Sequence, residues 1–460
     1  MADTIHGPGF AAELIRQGVF DEAQAAAVAV PASAPAGDVG EGPFVPREPV
    51  SLEATGLTRN DVEALILKFL LHVGAASGRQ IAEQIKLPFG CVAPLLQVLK
   101  AQMLVMYKNS APMSDYEYEL SDTGLERARR FHDNCTYFGA APVSLDEYID
   151  SVKRQSLRRS RPRLADMCRV LDDLLIEPAM ISQLGQAVNA GLGLFLYGEP
   201  GNGKTSIAER LVSGLGQSIW IPRTIGITGE ILRVFDPATH EAVADQSPTN
   251  LPDGARPDRR WVRIKRPTVV VGGELTLEHL EITHNPNTGT NESPVQIKSN
   301  CGALVVDDFG RQRVGVADLL NRWIVPLEKR FDCLSLPTGR QIQIPFEQLL
   351  VFATNFEPHQ LVDEAFLRRI PYKIEVGGPD EAQFVELFSR LSPKFGFKPQ
   401  PETVGYLLEH HYRRASRELR FCHVRDLLLQ ARSFCEFHDR ALDLTPDVID
   451  IAVKNYFAGL

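Results

Sequence analysis

The residues with the clearest chemistry lie in GLFLYGEPGNGKTSIAERLV (193–212). Gly198, Glu199, Pro200, Gly201, Asn202, Gly203, Lys204 and Thr205 satisfy the spacing G-x-x-x-x-G-K-[ST], and Ser206 follows. The apolar run LFLY precedes them and a helical pattern succeeds them, which is the strand–loop–helix context this spacing needs. Glycines in such a loop adopt backbone angles closed to other residues, so successive N–H groups can turn inward toward phosphate oxygens. The N-terminus of the following helix adds partial positive charge. Lys204 is placed to reach β- and γ-phosphates, and the Thr205 hydroxyl to ligate magnesium. The chemistry implied is binding of a nucleoside triphosphate with Mg2+.

Two segments downstream fit the same site. In GALVVDDFG (302–310) the run ALVV reads as a buried parallel strand ending in two acids, which puts Asp307 on the magnesium shell. LLVFATN (349–355) is a second such strand, ending in Thr354 and Asn355. An asparagine at the carboxyl end of a strand beside the phosphates can orient an attacking water.

In their order and spacing these motifs resemble the AAA+ superfamily of P-loop ATPases, over residues 181–460. The resemblance implies a parallel α/β nucleotide-binding core over 181–378 and an all-α lid over 379–460. It places Asn355 at sensor 1. LVDEAFLRRIPYKIEV (361–376) is similar to the segment bearing the arginine finger, so Arg368 and Arg369 are equal candidates to reach the nucleotide of an adjacent subunit, with Arg311 and Arg313 behind them. RFCHVRDLLLQA (420–431) resembles the sensor 2 stretch, where Arg425 matches best and Arg420 is second choice. The superfamily usually carries Glu after the magnesium aspartate, whereas this chain has Asp308, one methylene shorter. That shortens the reach of the general base and implies slow hydrolysis. The candidate catalytic set is Asp308, Asn355, Arg368, Arg369 and Arg425.

Lys204 and Asp307 lie 103 positions apart, longer than a helix, a strand and a second helix need. EILRVFD, RWVRIKR and PTVVVGGEL, set between turn-rich stretches, imply a β-rich insertion over about 225–298.

Ahead of the core, residues 1–50 carry one helical pattern, FAAELIRQGVFDEAQAAAV, and a Pro/Gly/Ala tract, read together as a flexible segment. Over 51–135 three short helices precede two alternating strands, LVMY and YEYEL, and a further helix, a layout resembling a winged helix-turn-helix of α+β type. Asn60 or Asp61 is the expected cap of its first helix. The unit holds nine Lys/Arg against ten Asp/Glu over 51–133, so a protein-docking role is favoured over a DNA reader. Residues 136–180 are read as a helical linker, with the basic run KRQSLRRSRPR (153–163) solvated.

The chain of 460 residues is long enough for about three units, and its formal net charge of -9 gives no general attraction to nucleic acid or anionic membranes. Its seven cysteines are scattered with no CxxC pair, which argues against a zinc site and for reduced thiols. No stretch approaches the ~20 apolar residues of a membrane span, and the expected location is the cytoplasm. The reading that follows is an ATPase that hydrolyses ATP at subunit interfaces, as a homo-oligomer and expectedly a hexamer, to remodel or move a protein client. The alternatives are an ATP-gated DNA-binding regulator and a slow NTPase switch or assembly scaffold.

Overall fold

The computed structural model describes residues 44–213, 218–243, 256–398 and 401–458. The helical pattern within residues 1–50 lies outside them. The N-terminal unit contains α1 (Arg59–Val73), β1 (Ala75–Ser77), α2 (Gly78–Ile85), α3 (Phe89–Ala101), β2 (Val105–Ala111), β3 (Asp115–Leu120) and α4 (Asp122–Asn134). Its strands form an antiparallel sheet in the order β1-β3-β2. Leu65, Ile66, Leu70, Ile81, Leu96 and Tyr118 share its core. The cap of α1 is Thr58 rather than Asn60 or Asp61. Its hydroxyl accepts from Asp61 N–H while Asp61 accepts from Thr58 N–H, a reciprocal pair that starts the helix earlier than expected.

The expected linker over 136–180 is structured. It contains β4 (Val143–Ser144), α5 (Leu145–Gln155), α6 (Leu164–Val170) and α7 (Pro178–Ala190). Tyr148 and Val152 of α5 are buried among Ile219, Ile225, Leu334 and Ile344. The Tyr148 hydroxyl accepts from Asn300 Nδ2 at 2.9 Å, and Gln155 exchanges two side-chain bonds with the backbone of Trp220 at 2.8 and 2.7 Å. The basic run is partly engaged: Arg158 Nε donates to the Ala190 carbonyl at 3.1 Å, while Lys153, Arg159, Arg161 and Arg163 are exposed.

The core continues through β5 (Leu194–Tyr197), α8 (Lys204–Ser213), β6 (Ile219–Pro222), β7 (Thr224–Ile227), β8 (Glu230–Arg233), β9 (Trp261–Ile264), β10 (Thr268–Val271), β11 (Thr283–Asn285), β12 (Thr290–Glu292) and β13 (Ala303–Val306). Then come α9 (Val316–Lys329), β14 (Phe331–Ser335), β15 (Gln341–Pro345), β16 (Leu349–Thr354) and β17 (Tyr372–Glu375). Five of these strands form a parallel sheet in the order β10-β13-β16-β5-β17. Its middle strands are apolar on both faces because both faces are covered. Leu196, Val305 and Val351 meet Ile207 and Leu211 of α8 on one side, while Phe195, Val306 and Phe352 meet Trp323 of α9 on the other.

The expected insertion over 225–298 is therefore divided. Its PTVVV run is β10, an edge strand of the parallel sheet, as its bounding Pro and Gly and its unbroken β-branched character suit. β7, β8, β11 and β12 build a separate mixed sheet in the order β11-β12-β8-β7-β4, whose last strand comes from the expected linker, while β9 pairs with β6. After β17 the chain is helical, with α10 (Glu381–Leu391), α11 (Pro401–Leu407), α12 (Phe421–Phe437) and α13 (Pro446–Tyr456) packed about Phe384, Phe388, Leu427 and Ile449.

The docking of α5 is testable by denaturant titration. Tyr148→Ala should cost about 3–5 kcal/mol, the scale for emptying a buried aromatic site. Tyr148→Phe should cost only about 1 kcal/mol, since Asn300 Nδ2 keeps its bond to the Pro345 carbonyl. A solvated linker would tolerate both changes.

Candidate functional site

Strand register brings the site together. Tyr197 at the end of β5 is level with Thr354 of β16 on one side and Glu375 of β17 on the other. The residues that follow, Gly198 and Asn355 among them, therefore converge at the carboxyl edge of the sheet, where ligands of such sheets bind. At Gly198, with φ of 131°, a Cβ would lie 2.6 Å from the Val376 carbonyl oxygen, so the loop runs too close to the end of β17 for any side chain.

Lys204, the first residue of α8, is 8% exposed. Its ammonium donates to the carbonyls of Gly198 and Glu199 at 2.8 and 2.9 Å and to Asn355 Oδ1 at 2.8 Å. Burial pulls its pKa down, and the nearby carboxylates of Asp307, Asp308 and Glu199 oppose that. The Thr205 hydroxyl donates to the Asp307 carboxylate, with Oγ1 3.0 and 2.9 Å from its two oxygens.

Asp308 sits beside this pair with a backbone φ of 48°, the left-handed region where non-glycine residues are uncommon. Asn355 Nδ2 lies 3.5 Å from Asp308 Oδ1, so Asn355 bridges the lysine and this acid. The turn holding Asp308 is fixed from below: Phe309 N–H donates to the Ala353 carbonyl at 2.8 Å, and the Thr354 hydroxyl to the Phe309 carbonyl at 2.8 Å.

These groups open onto a cavity of about 850 Å³ lined by Pro200, Gly201, Asn202, Gly203, Ser206, Asp307, Asp308 and Asn355. Its walls include residues that sequence reasoning missed: Leu174, Ile176 and Met180 from the expected linker, and Gln383, Leu387 and Lys394 from the helical C-terminal region. The apolar cluster LLIEPAM, following charged residues, was the available signal for the first wall. Asn202 is buried in the loop, and its Oδ1 has no hydrogen-bond partner among the described residues.

The arginines divide. Arg425 lines the cavity but is largely exposed and pairs with its neighbour Asp426. Arg420 instead pairs with Glu199 of the loop at 3.2 Å. Arg369 is mostly buried and bonded to Glu328 at 2.6 Å, whereas Arg368 is exposed and its guanidinium has no polar partner among the described residues. Arg311 stacks over Phe356, and Arg313 is exposed.

The donor set suits magnesium, a hard cation that prefers oxygen: one hydroxyl and one carboxylate, already adjacent. Thr205 and Asp307 would hold it. Among the described residues no group of three or more His, Cys, Asp and Glu side chains could hold a metal by itself. The cysteines are free thiols, and no helix among the described residues is long and apolar enough to cross a membrane.

Residues 380–455 match a family described as a domain of unknown function, DUF8689. No curated protein matches the chain. Solved structures that resemble it include NtrX from Brucella abortus in complex with ADP, at 12% identity and a TM-score of 0.37, covering 62% of this chain and 56% of that one. The P216G mutant of Thermotoga maritima RuvB is similar at 14% identity and a TM-score of 0.36, covering 63% and 72% respectively. This chain thus spans little more than half the length of the NtrX structure. Likeness at this level does not extend either protein's activity to this chain.

If the loop cradles phosphates, Lys204→Ala should abolish binding of a fluorescent ATP analogue, since a point charge is removed from a site built around it. Asp307→Ala should retain part of that binding but lose its dependence on magnesium. Equal magnesium titrations for the variant and the unaltered protein would remove Asp307 from the metal shell.

Proposed function

We propose that this chain is an AAA+ type ATPase that hydrolyses ATP with magnesium between the subunits of a homo-oligomer, expectedly a hexamer, and uses the cycle to move or remodel a protein partner in the cytoplasm. One observation carries the reading. Lys204 and Thr205, adjacent on α8, meet Asn355 and Asp307 from the ends of two other strands at 2.8 and 2.9 Å.

The roles follow from position. Lys204 neutralises charge on the β- and γ-phosphates, and backbone N–H groups of the loop bind their oxygens. Thr205 and Asp307 would hold a magnesium ion, which would supply positive charge against the phosphates. Asp308, with Asn355 beside it, positions the attacking water and accepts its proton. Arg368, exposed and unpartnered among the described residues, is the better candidate to reach a neighbouring subunit, because Arg369 is committed to Glu328.

The slow-switch reading has its own support. The short Asp308 side chain reaches Asn355 only at 3.5 Å, a weak bond, so water would be held loosely and the ATP state would persist. The DNA-binding alternative has less behind it: Lys100 of α3, the basic residue of that helix, lies over the Tyr107 ring at 3.7 Å.

Asp308→Asn should leave ATP binding intact and stop phosphate release, while Asp308→Glu should keep or raise the rate by restoring reach. A rate indifferent to Asn at 308 would place the base elsewhere.

Arg368→Ala should leave ATP affinity within a few-fold and cut turnover on the order of 10³ or more, the usual worth of such an arginine. Mixing this variant with Lys204→Ala should recover activity, because a mixed interface joins an intact loop to an intact arginine. If differently tagged chains exchange and no activity returns with either Arg368 or Arg369 replaced, the shared site is wrong.

A further inference from the structure

The run 153–163 holds six of the chain's 49 Lys and Arg and none of its 58 Asp and Glu, in a chain of net charge -9. Its second half, residues 156–163, joins α5 to α6, and the structure anchors it along its length. The Ser156 hydroxyl donates to Glu347 Oε2 at 2.7 Å, and Leu157 is buried. Arg158 lies along the end of α7: its Nε donates to the Ala190 carbonyl at 3.1 Å, and a Cβ at Gly191 would stand 3.0 Å from its Cγ. Pro162 is buried with its carbonyl accepting from Asn189 Nδ2 at 3.0 Å, and Arg163 N–H donates to the Asp166 carboxylate at 2.9 Å.

The backbone is therefore fixed, yet its guanidinium groups are left over. Arg159, Arg161 and Arg163 are exposed, and their guanidiniums have no polar partner among the described residues. The acids that touch this stretch are already committed. Asp166 takes the Arg163 backbone and lies 3.5 Å from Arg169, while Glu347 takes Ser156 and lies 3.5 Å from Arg330. Arg330 is itself mostly buried, and its Nε has no partner among the described residues. Burial pulls its pKa down; Glu347 opposes this, and the charge of Arg158 adds to it. Positive charge here exceeds the acceptors available, so an arriving anion relieves a repulsion already present.

Guanidinium forks take either carboxylates or phosphates two bonds at a time. The surroundings favour carboxylates. A duplex reader neutralises about six to ten phosphates along a stripe, whereas this charge is confined to one turn of an acidic chain. A single strand needs aromatic platforms for its bases, and residues 156–170 contain no aromatic side chain. An acidic protein segment presents a few carboxylates at once, which is the size of this footprint. Leu164, 59% exposed at the start of α6, adds an apolar contact beside it.

We propose that residues 158–163 form a docking surface for an acidic segment of a protein partner, with Arg159, Arg161 and Arg163 pairing its carboxylates. Because the turn is already anchored, little backbone entropy is lost when the segment binds. None of these arginines lines the cavity beside Lys204, so the surface acts independently of nucleotide chemistry.

The test is fluorescence anisotropy of a fluorescein-labelled poly-glutamate peptide with the full chain and no nucleotide. Binding should be measurable at low salt and weaken as salt rises. Replacing all three residues, Arg159→Gln, Arg161→Gln and Arg163→Gln, should weaken it on the order of tenfold or more, since each exposed pair is worth a few-fold. Those side chains make no contacts to lose, so the melting temperature should not move. If the triple variant melts early, the three single variants carry the test, each losing a few-fold. Arg→Lys at all three positions keeps the charge without the fork and should fall between. Lys204→Ala should bind the peptide as the unaltered protein does; a loss there would put the peptide on the phosphate loop and overturn the proposal. Undiminished binding by the Gln variants overturns it too, as does the absence of binding at low salt. A single-stranded oligothymidylate of equal charge that binds more tightly than the peptide, and loses that binding in the same variants, would replace the acidic protein by a nucleic acid.

Discussion

A buried ammonium cannot be left without acceptors, and Lys204 is the point on which the site's geometry turns. Its three donors have three oxygen partners, two from its own loop and one from Asn355. The loop carbonyls come free with the strand–loop–helix connection, but the third acceptor requires β16 to lie directly beside β5 with Thr354 level with Tyr197. That register is set from behind the site, where Phe195, Phe352, Phe309 and Trp323 interlock on one face of the sheet. With β16 fixed, β13 follows as its other neighbour, and Asp307 arrives opposite Thr205.

A second constraint ties the N-terminal unit to this core. The mixed sheet takes its last strand, β4, from the chain just after that unit, and Arg260 reaches the Pro142 carbonyl while paired with Asp258, both side chains being buried. Buried ion pairs are poor evidence of stability but good devices for fixing one arrangement among several. Thr136 N–H also donates to the Thr288 carbonyl at 2.9 Å, and Arg259 pairs with Glu83 of α2. A unit anchored through an insertion of the parallel-sheet core is placed to move with that core.

The convergence of the loop, Asp307 and Asn355 was legible because each sits at the end of a recognisable apolar run. What was not legible depends on partners far apart in the chain. Tyr148 lies 152 positions from Asn300, and nothing in LDEYIDSVKRQ distinguishes a docked amphipathic helix from a solvated one. The run PTVVV was recognised as a strand but assigned to the insertion, because a strand's sequence does not say which sheet receives it. The Glu199–Arg420 pair spans 221 positions, and Arg425, its rival by pattern, points instead to its own neighbour Asp426. Local rules found the groups that meet at the sheet edge; the cavity walls and the contact from the helical C-terminal region needed the fold.

The shortened acid at 308 has a conformational reason. For Phe309 to turn into the core and bond both Ala353 and Thr354, the preceding residue must adopt a left-handed backbone, and Asp308 does so at φ of 48°. Asp tolerates that region better than most residues because its short polar side chain can bond locally. A glutamate there would gain reach but lose that compatibility. Strain of this kind costs on the order of 1–3 kcal/mol and survives only where the surroundings over-determine it. At Asp308 two hydrogen bonds and the packing of Phe309 meet that condition, and they also aim the carboxylate toward Asn355. The shorter side chain is then what the turn selects.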